Sequence, residues 1–194
     1  MTGEGRSVRI IRKQISTDQR GTDMEFEQVL KGRYSVRKYQ DRPVEDEKLS
    51  KIIKAGLIAP TACNNQPQRI YVLKSPEALE KIRSITRCAF NAPVVFLLAV
   101  DETEEWHNPL KEGIVSGQQD VAIAATQMML TAWDQGLGSC WVCYFPNDEV
   151  AKAFDLPETV KPALLLPVGY AAEDAVPAKG HLVKRPAGEL LKVL

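Results

Sequence analysis

Seven consecutive apolar residues, Val94 to Val100 (VVFLLAV), constrain this chain more than any other stretch. A strand with one wet face alternates apolar and polar residues, whereas an unbroken run of strand length marks a strand covered on both faces. The fold therefore needs layers on either side of a sheet, and helical patterns are available to form them. Phe26, Val29 and Leu30 have helical spacing, with Gly32 suited to end that helix. From about Asp46 to Ala59, Leu49, Ile52, Ile53 and Leu57 fall on one helical face, with Lys48, Lys51 and Lys54 opposite, until Pro60 stops the helix. Ser75-Pro76-Glu77 supplies a cap, a first-turn proline and a first-turn acid for a helix carrying Leu79, Ile82 and Ile85. Ser116–Gln135 is apolar nearly all round (Val121, Ile123, Met128, Met129, Leu130, Trp133), which predicts a helix buried centrally or in a subunit interface, ended by Gly136-Leu-Gly138. Asn147-Asp-Glu caps a further helix through Phe154, while Arg69–Leu73, Ser139–Val142 and Ala163–Val168 read as strands. Alternating strands and helices predict a layered α+β or α/β domain.

The chain of 194 residues suits one domain with a real core. Residues 1–23 are polar and aperiodic and read as a flexible N-terminal arm. Met24 opens a stretch that would itself make a sensible start, so the arm is either an upstream addition or a segment that wraps a partner subunit. Residues 24–194 form the expected domain. With 25 basic and 25 acidic residues there is no sign of the basic face that nucleic acid requires, nor a reason to bind anionic membranes. A membrane span needs roughly 18–20 uninterrupted apolar residues. Val121–Trp133 is broken by Thr126 and Gln127, and Val94–Val100 is strand-sized. The N-terminus lacks the apolar segment of a secretory signal, so the cytoplasm is the expected compartment.

The common catalytic signatures are missing: no Walker loop, no dinucleotide-binding glycine motif, no zinc-protease or serine-hydrolase motif. With only His107 and His181, an enzyme of this sequence would borrow its reactivity from a cofactor. Arg33-Tyr34-Ser35-Val36-Arg37, just after a helix end, offers two guanidiniums and a hydroxyl suited to an anionic oxygen cluster, or is plain solvated surface. Pro60, Thr61, Ala62, Asn64, Asn65 and Gln66 form a stiff polar loop between prolines. Its carboxamides suit the edge of a heteroaromatic ring, or cap the loop's own backbone. Gly136 and Gly138 allow positive φ or close backbone approach, and equally serve a helix cap. Lys184-Arg185 could complete an anion site or aid solubility. Cys140-Trp-Val-Cys143 spells a C-x-x-C; its apolar flanks favour packed thiols in a buried strand over redox or metal chemistry. The acidic loop Asp101–Gly113, with Trp106 and His107, is a substrate gate or a surface loop.

Taken in order, the motifs resemble the nitroreductase family of flavoproteins. They are R-x-S-x-R (Arg33, Ser35, Arg37), A-P-T-x-x-N-x-Q-P (Ala59–Pro67), A-P-V-V (Ala92–Val95), G-L-G-S-C-W (Gly136–Trp141), L-P-V-G-Y (Leu166–Tyr170) and the late R-P at Arg185. The likeness runs from about residue 26 to the end. It implies an α+β, three-layer fold with a central, mostly antiparallel sheet flanked by helices, and an intertwined homodimer with FMN between the subunits. By resemblance, Arg33 and Arg185 bind the FMN phosphate with Ser35 and Lys184 assisting, Tyr34 lies among them, and Arg37 lies near the pyrimidine edge of the flavin, stabilising charge on the reduced ring. Pro60, Thr61, Ala62 and Asn64 resemble the loop that reaches the flavin from the other subunit. Many relatives carry serine where Ala62 stands. Gln66 is structural or near the ribityl chain. A backbone amide in Trp141–Tyr144, including Val142 and Cys143, matches the one placed near the hydride-accepting nitrogen; some relatives carry glutamate at the Cys143 position. The implied activity is hydride transfer from NAD(P)H through FMN to a nitroaromatic, quinone or similar acceptor, with no metal and no protein nucleophile. Rivals are a family member with other chemistry, a flavin-binding sensor or carrier, and a thiol or metal module at Cys140 and Cys143.

Overall fold

The computed structural model describes residues 25–194, and the arm expected over residues 1–23 lies outside them. In chain order the elements are α1 (Phe26–Gly32), α2 (Asp46–Leu57), β1 (Gln68–Leu73), α3 (Pro76–Ile85), β2 (Val94–Asp101), α4 (Gly117–Asp134), β3 (Gly138–Ser139), α5 (Asn147–Ala153), β4 (Val160–Gly169) and α6 (Ala187–Leu190). The strands form one sheet in the order β1-β2-β4-β3, every named pair antiparallel.

The run from Val94 to Val100 sits in the interior of that sheet, with β1 on one side and β4 on the other, and its residues are buried. Because strand side chains alternate in direction, one strand serves two cores. Val94, Phe96, Leu98 and Val100 pack with Leu49 and Ile52 of α2 and with Val121 and Met128 of α4. Val95 and Leu97 pack with Leu79 and Ile82 of α3 and Val150 of α5. Helices therefore cover both faces, giving three layers in an α+β fold. Each large side chain buried this way stabilises the fold by about 1.5–3 kcal/mol.

Ser75 caps α3 as its position predicts, accepting from the Ala78 N–H at 3.2 Å. Elsewhere the structure corrects the sequence reading. Leu57 is 59% exposed rather than core-facing. Gly56 takes its place in the helix contact, because a side chain there would collide with Met128 and Ile70. The strand expected over Ser139–Val142 is interrupted. Cys140 N–H still bonds Pro167 O at 3.3 Å, and Val142 exchanges bonds of 3.0 and 2.9 Å with Leu165. Pro167 has no N–H to return to the Cys140 carbonyl, so the ladder breaks there. Asn147 does not cap α5; its carboxamide donates to Pro162 O at 2.6 Å instead. Ile123 of α4 is exposed together with Phe26, Leu30 and Ile58, and a groove of about 440 Å³ runs between α1, α2 and α4. The apolar pair Leu190-Leu191 is exposed as well. Among the described residues, no helix is long and apolar enough to cross a membrane.

Candidate functional site

Two polar segments lie at opposite ends of α4. At its C-terminal end is the Arg33–Arg37 stretch. Once α1 ends, the chain extends and Ser35 forms a parallel bridge with Ser139 of β3, while the Val36 N–H bonds Ser139 O at 2.9 Å. Val36 is fully buried and seats against Gly138, where any Cβ would strike it. Gly136 adopts φ +74 to end the helix. The two glycines thus divide the roles open to them: one turns the chain, the other admits a neighbour. With Val36 inward, Arg37 is exposed, its Nη1 donating to Ser35 O at 3.3 Å. Among the described residues, neither Arg33 nor Arg37 has a carboxylate within ion-pair distance.

The chain beyond β4 returns to this same end. The Tyr34 hydroxyl donates to Ala175 O at 3.2 Å. Its ring meets Trp133 of α4 edge-on at 5.5 Å and His181 at 6.3 Å. Lys38 and Asp174 form an ion pair, and the Ala172 N–H bonds Lys38 O at 3.0 Å. The turn Lys179–Leu182 leads from there into Lys184 and Arg185, both exposed. Among the described residues Arg185 reaches Glu189, at 3.6 Å and in solvent, a pair worth little. Tyr39 clamps the strand crossing, its hydroxyl 2.8 Å from Val36 O and 3.1 Å from Pro167 O, and burial pushes its pKa well above the usual value.

At the N-terminal end of α4 lies the loop of Pro60 to Gln66. Cys63, Asn64 and Gln66 all adopt positive φ (50, 56 and 55) although none is glycine; asparagine tolerates this region, whereas Cys63 and Gln66 carry a strain of about 1–2 kcal/mol each. Internal bonds hold the shape. The Thr61 hydroxyl accepts from the Gln66 N–H at 3.0 Å, and the Gln66 carboxamide donates to Asn64 O at 3.2 Å. Thr61 and Gln66 thus spend their polar atoms on the loop itself, whereas the exposed carboxamides of Asn64 and Asn65 have no partner among the described residues. Below the loop, the Ala62 N–H donates to Asp120 Oδ1 at 2.9 Å. Asp120, only 2% exposed, also accepts from the Ser116 hydroxyl at 2.7 Å. Sequence reasoning missed both residues, and the available signal was an acid in the first turn of an otherwise apolar helix.

Ala62 is thus anchored at Asp120 and Tyr34 at Trp133, thirteen residues further along α4. At the helical rise that is about 20 Å. Within one chain the structure brings Arg33, Tyr34, Ser35 and Arg37 together with residues 172–181 of the tail, shows no contact from Lys184 or Arg185 to them among the described residues, and holds the Pro60–Gln66 loop apart.

The stretch after β3 is mixed. Val142 is buried with both backbone groups bonded to Leu165, while Trp141 is half-buried. Cys143 and Tyr144 are exposed, and the Cys143 N–H has no acceptor among the described residues. The expected pair of packed thiols is only half right. Cys140 lies in the core, but Cys143 faces outward, its Sγ accepting from the Trp141 indole at 3.2 Å. Burial pushes the Cys140 thiol pKa up, with Arg37 and the Ser35 hydroxyl pulling the other way. A thiol so placed is a poor nucleophile.

Residues 30–91 and 85–170 match the model of the nitroreductase family. A Methanothermobacter thermautotrophicus protein, provisionally named NADH dehydrogenase/NAD(P)H nitroreductase, is 30% identical over 84% of this chain and 86% of its own. The crystal structure of a nitroreductase family protein from Clostridium difficile superposes with a TM-score of 0.81 at 36% identity, covering 87% of this chain and 98% of that one. A provisionally named nitroreductase from Exiguobacterium sibiricum, in complex with FMN, gives a TM-score of 0.76 at 20% identity over 90% and 99% of the two chains; that likeness is one of fold.

Proposed function

The chain belongs to the nitroreductase family, and from that premise we propose that it is an NAD(P)H-dependent FMN oxidoreductase acting as a homodimer. The observation that carries this reading is the partition of the site along α4. Arg33 and Arg37, which have no carboxylate partner among the described residues, stand at one end, and a preshaped polar loop stands about 20 Å away at the other. One ligand touches both only if a second copy, running the opposite way, lays its loop over the cations of the first. The apolar groove between α1, α2 and α4, with Phe26, Leu30, Ile58 and Ile123 exposed around it, supplies the surface such a pairing would bury.

The donor set fits FMN. Arg33, with Ser35 and the tail's Lys184 and Arg185, offers charge-assisted donors to a dianionic phosphate. Arg37 would lie beside the pyrimidine edge, where a guanidinium offers electrostatic stabilisation of charge on the reduced ring. From the partner subunit, Pro60, Thr61, Ala62 and Asn64 would face the ring, the Asn64 carboxamide, without a partner among the described residues, being able to bond its edge; Gln66 shapes that loop. Trp141, Val142 and Cys143 would border the ring, and the Cys143 N–H, without an acceptor among the described residues, is the backbone donor they offer it. FMN held there would supply the redox chemistry between NAD(P)H and a nitroaromatic, quinone or similar conjugated acceptor, the two substrates using the site in turn. The chain itself contributes binding, orientation and charge. A nicotinamide donor and free thiols both suit the cytoplasm.

The test is the absorption spectrum and mass of the purified protein, followed by NAD(P)H oxidation with a panel of acceptors. A yellow dimer that releases FMN on denaturation and turns over NAD(P)H is the expected result. A colourless monomer indifferent to added FMN overturns the proposal. FMN that is bound but not reduced by NAD(P)H points to a carrier instead.

A further inference from the structure

Resting on the flavin reading above, we propose that Asp120 is a positioning residue that couples the flavin-facing loop to the 102–116 loop through one buried carboxyl group. Its Oδ1 accepts from the Ala62 N–H at 2.9 Å, and its Oδ2 accepts from the Ser116 hydroxyl at 2.7 Å. The same Ser116 Oγ accepts from the Trp106 N–H at 3.2 Å, while the Ser116 N–H bonds Trp106 O at 3.0 Å and closes the base of the 102–116 loop. Glu105 Oε2 accepts from the Gly117 N–H at 3.2 Å, so the loop is also tied to the start of α4. A continuous path of hydrogen bonds therefore runs Trp106–Ser116–Asp120–Ala62.

Asp120 is 2% exposed, so water does not readily replace a partner it loses. The segment it holds is the strained one. Three non-glycine residues of positive φ follow Ala62 within four positions, and such backbone persists only where its surroundings over-determine it. The Thr61 cap, the Gln66 carboxamide on Asn64 O and Arg69, which donates to Gln66 O at 3.1 Å, brace the far side of the loop, and Asp120 is the buried side chain that fixes its start at Ala62. Displacing Trp106 shifts Ser116, reorients the carboxyl group and thereby moves Ala62. Occupancy of the 102–116 loop and the shape of the flavin contact are linked by this chain of bonds.

Amide hydrogen exchange and FMN titration test this together. In Asp120→Ala, exchange at Ala62–Gln66 and at Trp106 is expected to accelerate at least tenfold in protein without added flavin. FMN affinity is expected to fall at least tenfold while circular dichroism stays unchanged. Asp120→Asn keeps an acceptor for the Ala62 N–H and should restore most of both. Ser116→Ala leaves the Asp120–Ala62 bond possible, yet should speed exchange at Ala62 as well as at Trp106; it serves if Asp120→Ala fails to fold. The inference is overturned if Ser116→Ala affects Trp106 alone, or if Asp120→Ala leaves Ala62 exchange and FMN affinity at wild-type values. Wild-type protein that binds no FMN sinks the functional reading, while the exchange data still decide the coupling.

Discussion

At the C-terminal end of α4 the Arg33–Arg37 stretch is held mainly by backbone pairing to β3 and by a fully buried valine, its charged side chains adding only the exposed 3.3 Å bond from Arg37 to Ser35 O among the described residues. At the N-terminal end the Pro60–Gln66 loop holds three non-glycine residues of positive φ and is shaped by side chains, those of Thr61, Gln66, Arg69 and Asp120, rather than by backbone pairing to a strand among the described residues. The first region separates support from chemistry; the second makes them the same atoms. Substitutions should therefore change binding without stability at one end, and both together at the other.

The largest effect expected is on FMN retention in Arg33→Ala. Losing a charge-assisted phosphate contact of about 1.5–3 kcal/mol weakens binding roughly tenfold to a hundredfold, with the urea midpoint unchanged. A drop in stability of similar size would erase the contrast between the two ends. Next comes Gly138→Ala, which attacks the support instead. Its Cβ meets Val36, and overpacking of this kind costs about 1–3 kcal/mol, read as a lower midpoint in urea. Thr61→Ala removes the acceptor for the Gln66 N–H, a loss of about 1 kcal/mol. It should lower the midpoint and weaken FMN binding together, which fluorescence titration alongside unfolding would register.

The smallest effect concerns a surface brace near the cationic end. Glu45 Oε2 accepts from the Tyr170 hydroxyl at 2.6 Å; that bond, the Glu45 backbone and Arg42 lower its pKa from 4.5 to about 2. A depressed carboxyl pKa contributes stability above pH about 4.5 that is lost as pH falls through about 2. Tyr170→Phe should move the Glu45 titration, followed by NMR, back toward 4.5. An unmoved titration would assign the shift to the backbone and Arg42.

Much of this could be read from residue order alone, and the exceptions share a cause. Val94–Val100 identified the interior strand because burial on both faces leaves no polar position to misread. Arg33, Ser35 and Arg37 were recognisable because their alternation survives in extended backbone. Leu57 misled because helical spacing defines a face without saying whether anything covers it; here Gly56 makes the contact. The interrupted ladder at Trp141 depends on Pro167, a residue of another strand. Asp120 escaped notice because its partner Ala62 lies 58 positions away. Likewise, α4 was legible as a helix, but not what packs against each of its ends.

Placing the two halves of the site at opposite ends of one helix has a genetic consequence under the proposed pairing. Each cleft of a symmetric pair would borrow one wall from either copy, so lesions in different walls need not share a cleft. Mixing Arg33→Ala chains with Asp120→Ala chains should yield hybrids in which one cleft inherits both defects and the other neither. Two crippled preparations, unfolded and reassociated together, would regain a fraction of the activity that each lacks alone.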